Sequence, residues 1–408
     1  MKYKIASFLF ILYFSPVLLH SQVLSLDNIK AIIEKQNPML SMYDMQIKAY
    51  DAYALGAKSW EPPQFGTGLY MTPYSFDRNM GAYMISVQQM IPNPSKLKAN
   101  QKYMQGMSSV DVQNKNAEKN ILFAQAKMDY YEWVVLKKKK AVLGESEELI
   151  NYIIQVSEIR YPLKQEKLSN IYKAKASLSE LQNMELMIDN DIVQKQISLN
   201  MLMSRDKNIS FDIDTSFSIM DYETTDIDTS AISQFKSDIK AIDQQINVSF
   251  LKQKAELSKR NPDFGIRYDN MFGFGNQTNQ FSVMGMITIP IAPWSSKMYK
   301  ANVQGIKFEI LSYQKQKEAL INETDGMLQS IKAQIKTKKS QVSLYQNNII
   351  PALEKNNKIS MIAYDHNTED LFTVLDAWQT LKMAKIEYLN QLKELLLLQV
   401  DYEKLIEK

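Results

Sequence analysis

Two hydrophobic rhythms divide the chain. In one window, Phe65, Thr67, Leu69 and Met71 point to one side of an extended backbone while Gln64, Gly66, Gly68 and Tyr70 point to the other. Tyr83, Ile85 and Val87 resume the alternation after a polar turn around Asp77 and Asn79. A second window repeats this: Phe264, Ile266 and Tyr268 oppose Arg267 and Asp269, and Phe281, Val283, Ile287 and Ile289 oppose Ser282 and Thr288, across a turn with Gly273, Gly275 and Asn276. A period of two predicts β-hairpins over 64–91 and 263–290. Strands of about 9 to 11 residues have the length of a tilted bilayer crossing.

The rest of the chain reads as helix. No proline lies between Ser95 and Glu158, and only Pro351 between Ser295 and Ile362. Each window can hold a rod of about 100 Å at roughly 1.5 Å per residue. The second rod carries a heptad seam of Ile306, Tyr313, Leu320 and Met327 with Val303, Ile310 and Ile331, interrupted by Lys317 and Thr324, which predicts coiled-coil packing. Short turns at Arg160–Leu163 and Tyr364–Thr368 predict antiparallel return helices over 163–204 and 369–406.

Composition sharpens this division. The 408 residues include only 12 Gly and 12 Pro. Seven of those glycines and eight of those prolines fall within 60–94 and 260–294, which leaves the remainder almost free of breakers. There is no Cys, and His20 and His366 are the only histidines, too few for a zinc site or an imidazole-based nucleophile. No catalysis, cofactor or metal site is expected. Lys2 and Lys4 precede an apolar run from Ile5 to Leu19 with Ser21 beyond it, the pattern of an export signal over 1–21. The remainder carries 46 basic against 45 acidic residues, and that balance gives no reason to expect nucleic-acid binding.

The chain is also a tandem repeat. Tyr161, Leu168, Ile171 and Ala174 recur as Tyr364, Leu371, Val374 and Ala377. Pro63-Gln64-Phe65-Gly66 recurs as Pro262-Asp263-Phe264-Gly265, and Ile91-Pro92 as Ile289-Pro290. The expected organisation is a first repeat over 22–205, with its helical hairpin at 95–205, and a second over 230–408, with its helical hairpin at 295–408. Between them, 206–229 carries Asp206, Asp212, Asp214, Asp221, Glu223, Asp226 and Asp228 against Lys207 alone, and reads as an acidic linker or collar. Lys137–Lys140 read as a solvated or headgroup-level helix face, and Met80, Met84, Met284 and Met286 as packing residues. Four strands cannot close on themselves in lipid, where every edge group needs a partner. Three copies would supply 12 strands and 12 helices, so a homotrimer is expected.

The strand-to-rod junctions IPNPSKLKAN (91–100) and IPIAPWSSKMYKAN (289–302), the repeat, and the run from Tyr364 to Ala377 resemble the outer membrane efflux protein (TolC) family. The resemblance implies a mainly α fold with a small β part: tandem-duplicated helical hairpins and two β-hairpins, assembled as a trimeric 12-stranded outer-membrane barrel continuing into a 12-helix periplasmic tunnel. It implies an exit duct of a tripartite efflux or type I secretion system in a Gram-negative outer membrane, passing small molecules or metal ions. The implied partners are outer-membrane lipid, a periplasmic adaptor and an inner-membrane pump of the resistance-nodulation-division type.

Such channels narrow at the tunnel tip through rings of Asp. Asp376 matches one ring position, Thr373 stands at the other, and Tyr364 is placed to tie helices together at the gate. The adaptor would dock on Arg160, Tyr161, Pro162 and Leu163 of the first tip and on Asp365, His366 and Asn367 of the second. The family favours Gly three residues after each tip Tyr, where this chain has Lys164 and Asn367. Asn tolerates a left-handed turn, and Pro162 is expected to shape the first turn differently. The rival reading is a periplasmic coiled-coil adaptor or scaffold that enters no membrane.

Overall fold

A computed structural model describes residues 23–75, 77, 79–222 and 229–408. The export signal and residues 223–228 of the acidic linker lie outside the described residues.

The chain opens with β1 (Val23–Leu24), α1 (Leu26–Gln36) and α2 (Pro38–Gly56), followed by β2 (Gln64–Tyr70), β3 (Ala82–Ile91), α3 (Pro94–Arg160) and α4 (Leu168–Leu202). After β4 (Asp212–Ile213) come α5 (Thr229–Phe235), α6 (Ser237–Ser258), β5 (Asp263–Gly273), β6 (Gln280–Thr288), α7 (Pro293–Leu344), α8 (Ile350–Asp365) and α9 (Leu371–Ile406). With 67 residues, α3 is about 100 Å long. The second rod reaches similar length by running α7 into α8 through a π turn at Tyr345–Ile349. Pro351 explains that turn: it has no N–H for the preceding turn, and its ring crowds the carbonyl four residues back.

Each rod leaves the sheet through a proline-started first turn. At the first junction the Asn93 side chain caps α3 by accepting from Ser95 N at 3.0 Å. Asn93 N donates to Asp263 Oδ1 at 2.9 Å, and Lys96 pairs with Asp263 Oδ2 at 2.6 Å. The first residue of β5 thereby fixes how α3 enters the sheet.

The upper part of α3 packs on α2 and α6, through contacts such as Lys115 with Asp44 and Ser109 with Gln244. Further along, Leu143, Ile150 and Ile153 of α3 form one buried core with Leu181 of α4 and Leu371, Val374 and Trp378 of α9. Around the middle, β1 pairs in parallel with β4, and Trp133 meets Phe211 edge-on at 5.1 Å between ring centres. The Lys137–Lys140 run is not a free solvated face. Lys137 pairs with Asp212, Lys138 lies over Phe217, Lys139 donates to Asn390, and Lys140 pairs with Asp189. The first two lysines strap the collar onto α3.

The α7 seam differs from the expected register. Ile306 and Ile310 are buried, but further along the buried set is Thr324, Leu328, Ile335 and Val342, while Met327 is exposed. Thr324 interrupts nothing, because its hydroxyl donates to Leu320 O at 2.7 Å and its methyl can pack. The burying partners also change along α7, from α6 to α9, which shifts the apolar stripe away from a strict heptad.

Candidate functional site

The four long strands form one antiparallel sheet in the order β2-β3-β5-β6. Its register sorts the side chains by face. Phe65 lies opposite Val87, Thr67 opposite Ile85 and Leu69 opposite Tyr83. Across the next pairing Tyr83 meets Phe272, Val87 meets Tyr268 and Ile91 meets Phe264. Phe264 then meets Ile287, and Tyr268 meets Val283. One face is therefore almost continuously aromatic and branched aliphatic, and Phe65, Leu69, Ile266, Phe281, Val283 and Ile287 are each more than half exposed. The opposite face carries Gly66, Gly68, Ser86, Gln88, Arg267, Asp269 and Ser282. Asp269 is buried against Arg267, whose Nε donates to Oδ1 at 2.8 Å. Among the described residues β2 and β6 have no outer neighbour, so both sheet edges are unpaired.

The tip at the far end of the rods is built differently. Tyr364 is 2% exposed. Its hydroxyl donates to Glu166 Oε2 at 3.0 Å and lies 3.1 Å from Ser157 Oγ. Arg160 Nη1 donates to the Tyr364 carbonyl at 2.7 Å and Nη2 to that of Asp365 at 3.1 Å, while the guanidinium sits 4.2 Å above the Tyr364 ring. The phenol thus joins the end of α3, the first turn and the second rod. Burial, reinforced by the Glu166 carboxylate, pushes its pKa above the ordinary tyrosine value. Glu166 also accepts from Lys167 N and Asn170 Nδ2 at the start of α4. Sequence reasoning missed Glu166 and Ser157, since neither lies in a repeated motif and their partner is about 200 residues away.

Both tip turns use a left-handed residue at the position noted above: φ is +59° at Lys164 and +56° at Asn367. Pro162 does not replace that conformation in the first turn. Lys adopts it against its intrinsic preference, whereas Asn does so readily.

Of the predicted gate residues, Thr373 and Tyr364 share one cleft and Asp376 lies outside it. Thr373 lines a cleft of about 620 Å³ with Arg160, Lys164, Glu166, Tyr364 and Asn367. Its N and Oγ1 both donate to Asp370 Oδ1, the α9 cap, at 3.0 Å. Those hydrogen bonds hold the Asp370 pKa below the usual carboxylate range. Asp376 stands one turn further along α9, exposed and outside the cleft. Tyr161, Pro162, Leu163, Asp365, His366 and Asn367 are all exposed at the extreme end. Among the described residues no cluster of three His, Cys, Asp or Glu could hold a metal ion. No helix of the described chain is long and apolar enough to cross a membrane.

The sequence matches no protein-family model and no curated protein. Solved structures do match. The outer-membrane channel OprN superposes with a TM-score of 0.74 at 12% identity, over 93% of this chain and 89% of that one. The outer membrane protein VceC of Vibrio cholerae gives 0.73 at 13% identity, over 93% and 95%. The open-state MtrE channel of Neisseria gonorrhoeae gives 0.73 at 14%, over 93% and 88%. At this identity the likeness establishes the fold of the single chain, and the mainly helical chain with a small sheet part is the one expected from the resemblance to the outer membrane efflux protein family.

Proposed function

We propose that this chain is the exit duct of an efflux or secretion assembly in a Gram-negative outer membrane, with a long periplasmic tunnel, and that it makes and breaks no covalent bonds. One observation carries the reading: a four-stranded sheet with an uncovered apolar face, a polar opposite face and two unpaired edges. Such a sheet has no stable place in water, where the apolar face is uncovered, nor alone in lipid, where the edges are unsatisfied. Joining edges among three copies gives a closed 12-stranded barrel, apolar outside and polar inside. The likeness to solved outer-membrane channels supports this. A periplasmic scaffold would leave the sheet unexplained.

In this reading the rods form the periplasmic tunnel, and the exposed ends around Arg160, Tyr161, Pro162, Leu163, Asp365, His366 and Asn367 receive an adaptor linked to a resistance-nodulation-division pump. The cargo is small molecules or metal ions supplied by that pump. Asp376 and Thr373 form the lumenal constriction, and the Tyr364 contacts hold the tip closed. Sucrose-density fractionation tests location: the chain should travel with outer membrane, and recovery in the soluble periplasm would reject the duct. In detergent the particle should contain three chains. In planar bilayers Asp376→Asn should lower cation preference, since a three-fold ring of carboxylates concentrates cations. Unchanged selectivity would remove Asp376 from the gate.

A further inference from the structure

Among the described residues five charged side chains are nine-tenths or more buried. Four of them meet a partner of opposite charge: Lys127 pairs with Glu403 at 2.6 Å, Asp129 with Lys195 at 3.1 Å, Lys236 with Asp238 at 3.4 Å and Asp269 with Arg267 at 2.8 Å. Lys382 of α9, 8% exposed, is the exception. Among the described residues its ammonium has no ion pair and no hydrogen bond, and it sits 4.8 Å from the centre of the Trp378 ring. Burial lowers its pKa, an effect that Glu180 of α4 only partly offsets. A lysine so deeply placed is ordinarily paired.

The unpaired ammonium borders a cavity of about 600 Å³, lined by Lys382 with Met184 of α4, Tyr345 and Ile349 of the π turn, and Met383 and Ile386 of α9. That volume lies within the range of roughly 300–1,000 Å³ typical of small-molecule sites. Glu387 also stands on the wall, but its two oxygens accept from the side-chain amides of Asn390 and Gln391. The cavity therefore presents one unsatisfied positive charge in a mostly apolar wall. Its complement is a molecule with an apolar body and a single acidic head. Because the wall includes the π turn where α7 passes into α8, such a molecule would touch α4, α9 and the irregular turn of the second rod together.

We propose that this cavity is an effector site for amphiphilic monocarboxylates, in which the carboxylate pairs with Lys382, the apolar body lies along Met184, Ile349, Met383 and Ile386, and occupancy steadies the π turn. One chain supplies every wall of the site, so it stands apart from the duct reading. The ligand is held beside the rod and acts on it.

The test uses the purified full chain in dodecyl maltoside, labelled with 5-fluorotryptophan and titrated with octanoate. The four tryptophans give four fluorine signals. The Trp378 signal should move saturably, while that of Trp133, in the core beside the collar, should stay. Octanol, which has the same chain length and no charge, should bind at least tenfold more weakly. Octanoate should bind Lys382→Met at least tenfold more weakly than wild type, and Lys382→Arg, which keeps the charge, should retain binding. Equal affinity of wild-type protein for octanol and octanoate overturns the proposal without recourse to a variant. Unchanged octanoate binding by Lys382→Met overturns it too, as does the lack of any saturable shift, the result expected if a second copy covers the cavity. Amide exchange reads the effector role, since a ligand stabilises what it binds. Octanoate should slow exchange at 345–349 in wild-type protein and not in Lys382→Met, and binding that leaves this exchange unchanged overturns that role.

Discussion

The sheet and the rods solve opposite problems with the same kinds of residue. Along the rods, Leu143, Ile150, Ile153 and Leu181 are buried against one another, and long side chains such as Lys137 and Lys140 reach carboxylates on neighbouring segments. On the sheet, Phe65, Ile266, Phe281 and Ile287 are each more than half exposed. An apolar residue in a rod is a statement about the chain's own core. In the sheet it is a statement about the surroundings, which must be apolar too.

A charge on the outward sheet face should produce the largest effect. In the proposed three-copy barrel, Tyr268→Arg, at the centre of β5, is expected to cost about 2–4 kcal/mol per copy and to abolish recovery in the outer-membrane fraction. Gln88→Arg, on the opposite face, should insert normally. Equal tolerance of both would erase the difference between the faces. In the rods the expected failure is ordinary cavity formation: Leu181→Ala, at a fully buried site, should lower stability by about 2–5 kcal/mol in denaturant titration while leaving membrane insertion intact.

Smaller effects belong to the tip. Tyr364→Phe removes the hydroxyl from Glu166 and Ser157 and should cost about 1 kcal/mol, read as faster amide exchange at the rod ends. Because the folded state raises this phenol's pKa, its contribution is complete below about pH 10, the unperturbed tyrosine value. It should be lost as pH rises through the higher folded value. The Phe variant should lack that alkaline loss. Smallest is Lys164→Gly, which relieves the left-handed strain at φ +59° and should stabilise the first tip by up to about 1 kcal/mol. Asn367→Gly should gain less.

The sparseness of Gly and Pro already announced long rods and two strand pairs, and alternation named both faces of each strand. The tip Tyr was legible through the repeat and the left-handed Asn367 through the resemblance, whereas the left-handed Lys164 was not, because Pro162 was expected to shape that turn differently. What escaped was set by contacts distant in sequence. Lys137 looked solvated because Asp212 lies 75 residues on. The α7 stripe looked heptad because its change of partner leaves no local mark, and Thr324 looked polar because its hydroxyl bond to the preceding turn is formed only within the helix. Glu166 and Ser157 became part of the site only once Tyr364 was placed between them.

The absence of cysteine allows single spin labels to be set along β6 without a background. Val283→Cys, Ile287→Cys, Ser282→Cys and Met286→Cys, reconstituted in liposomes, would report collisions with oxygen, which concentrates in lipid, and with a water-soluble nickel complex. The account predicts oxygen-dominated relaxation at 283 and 287 and nickel-dominated relaxation at 282 and 286. Nickel access at all four positions, or at none, would contradict it.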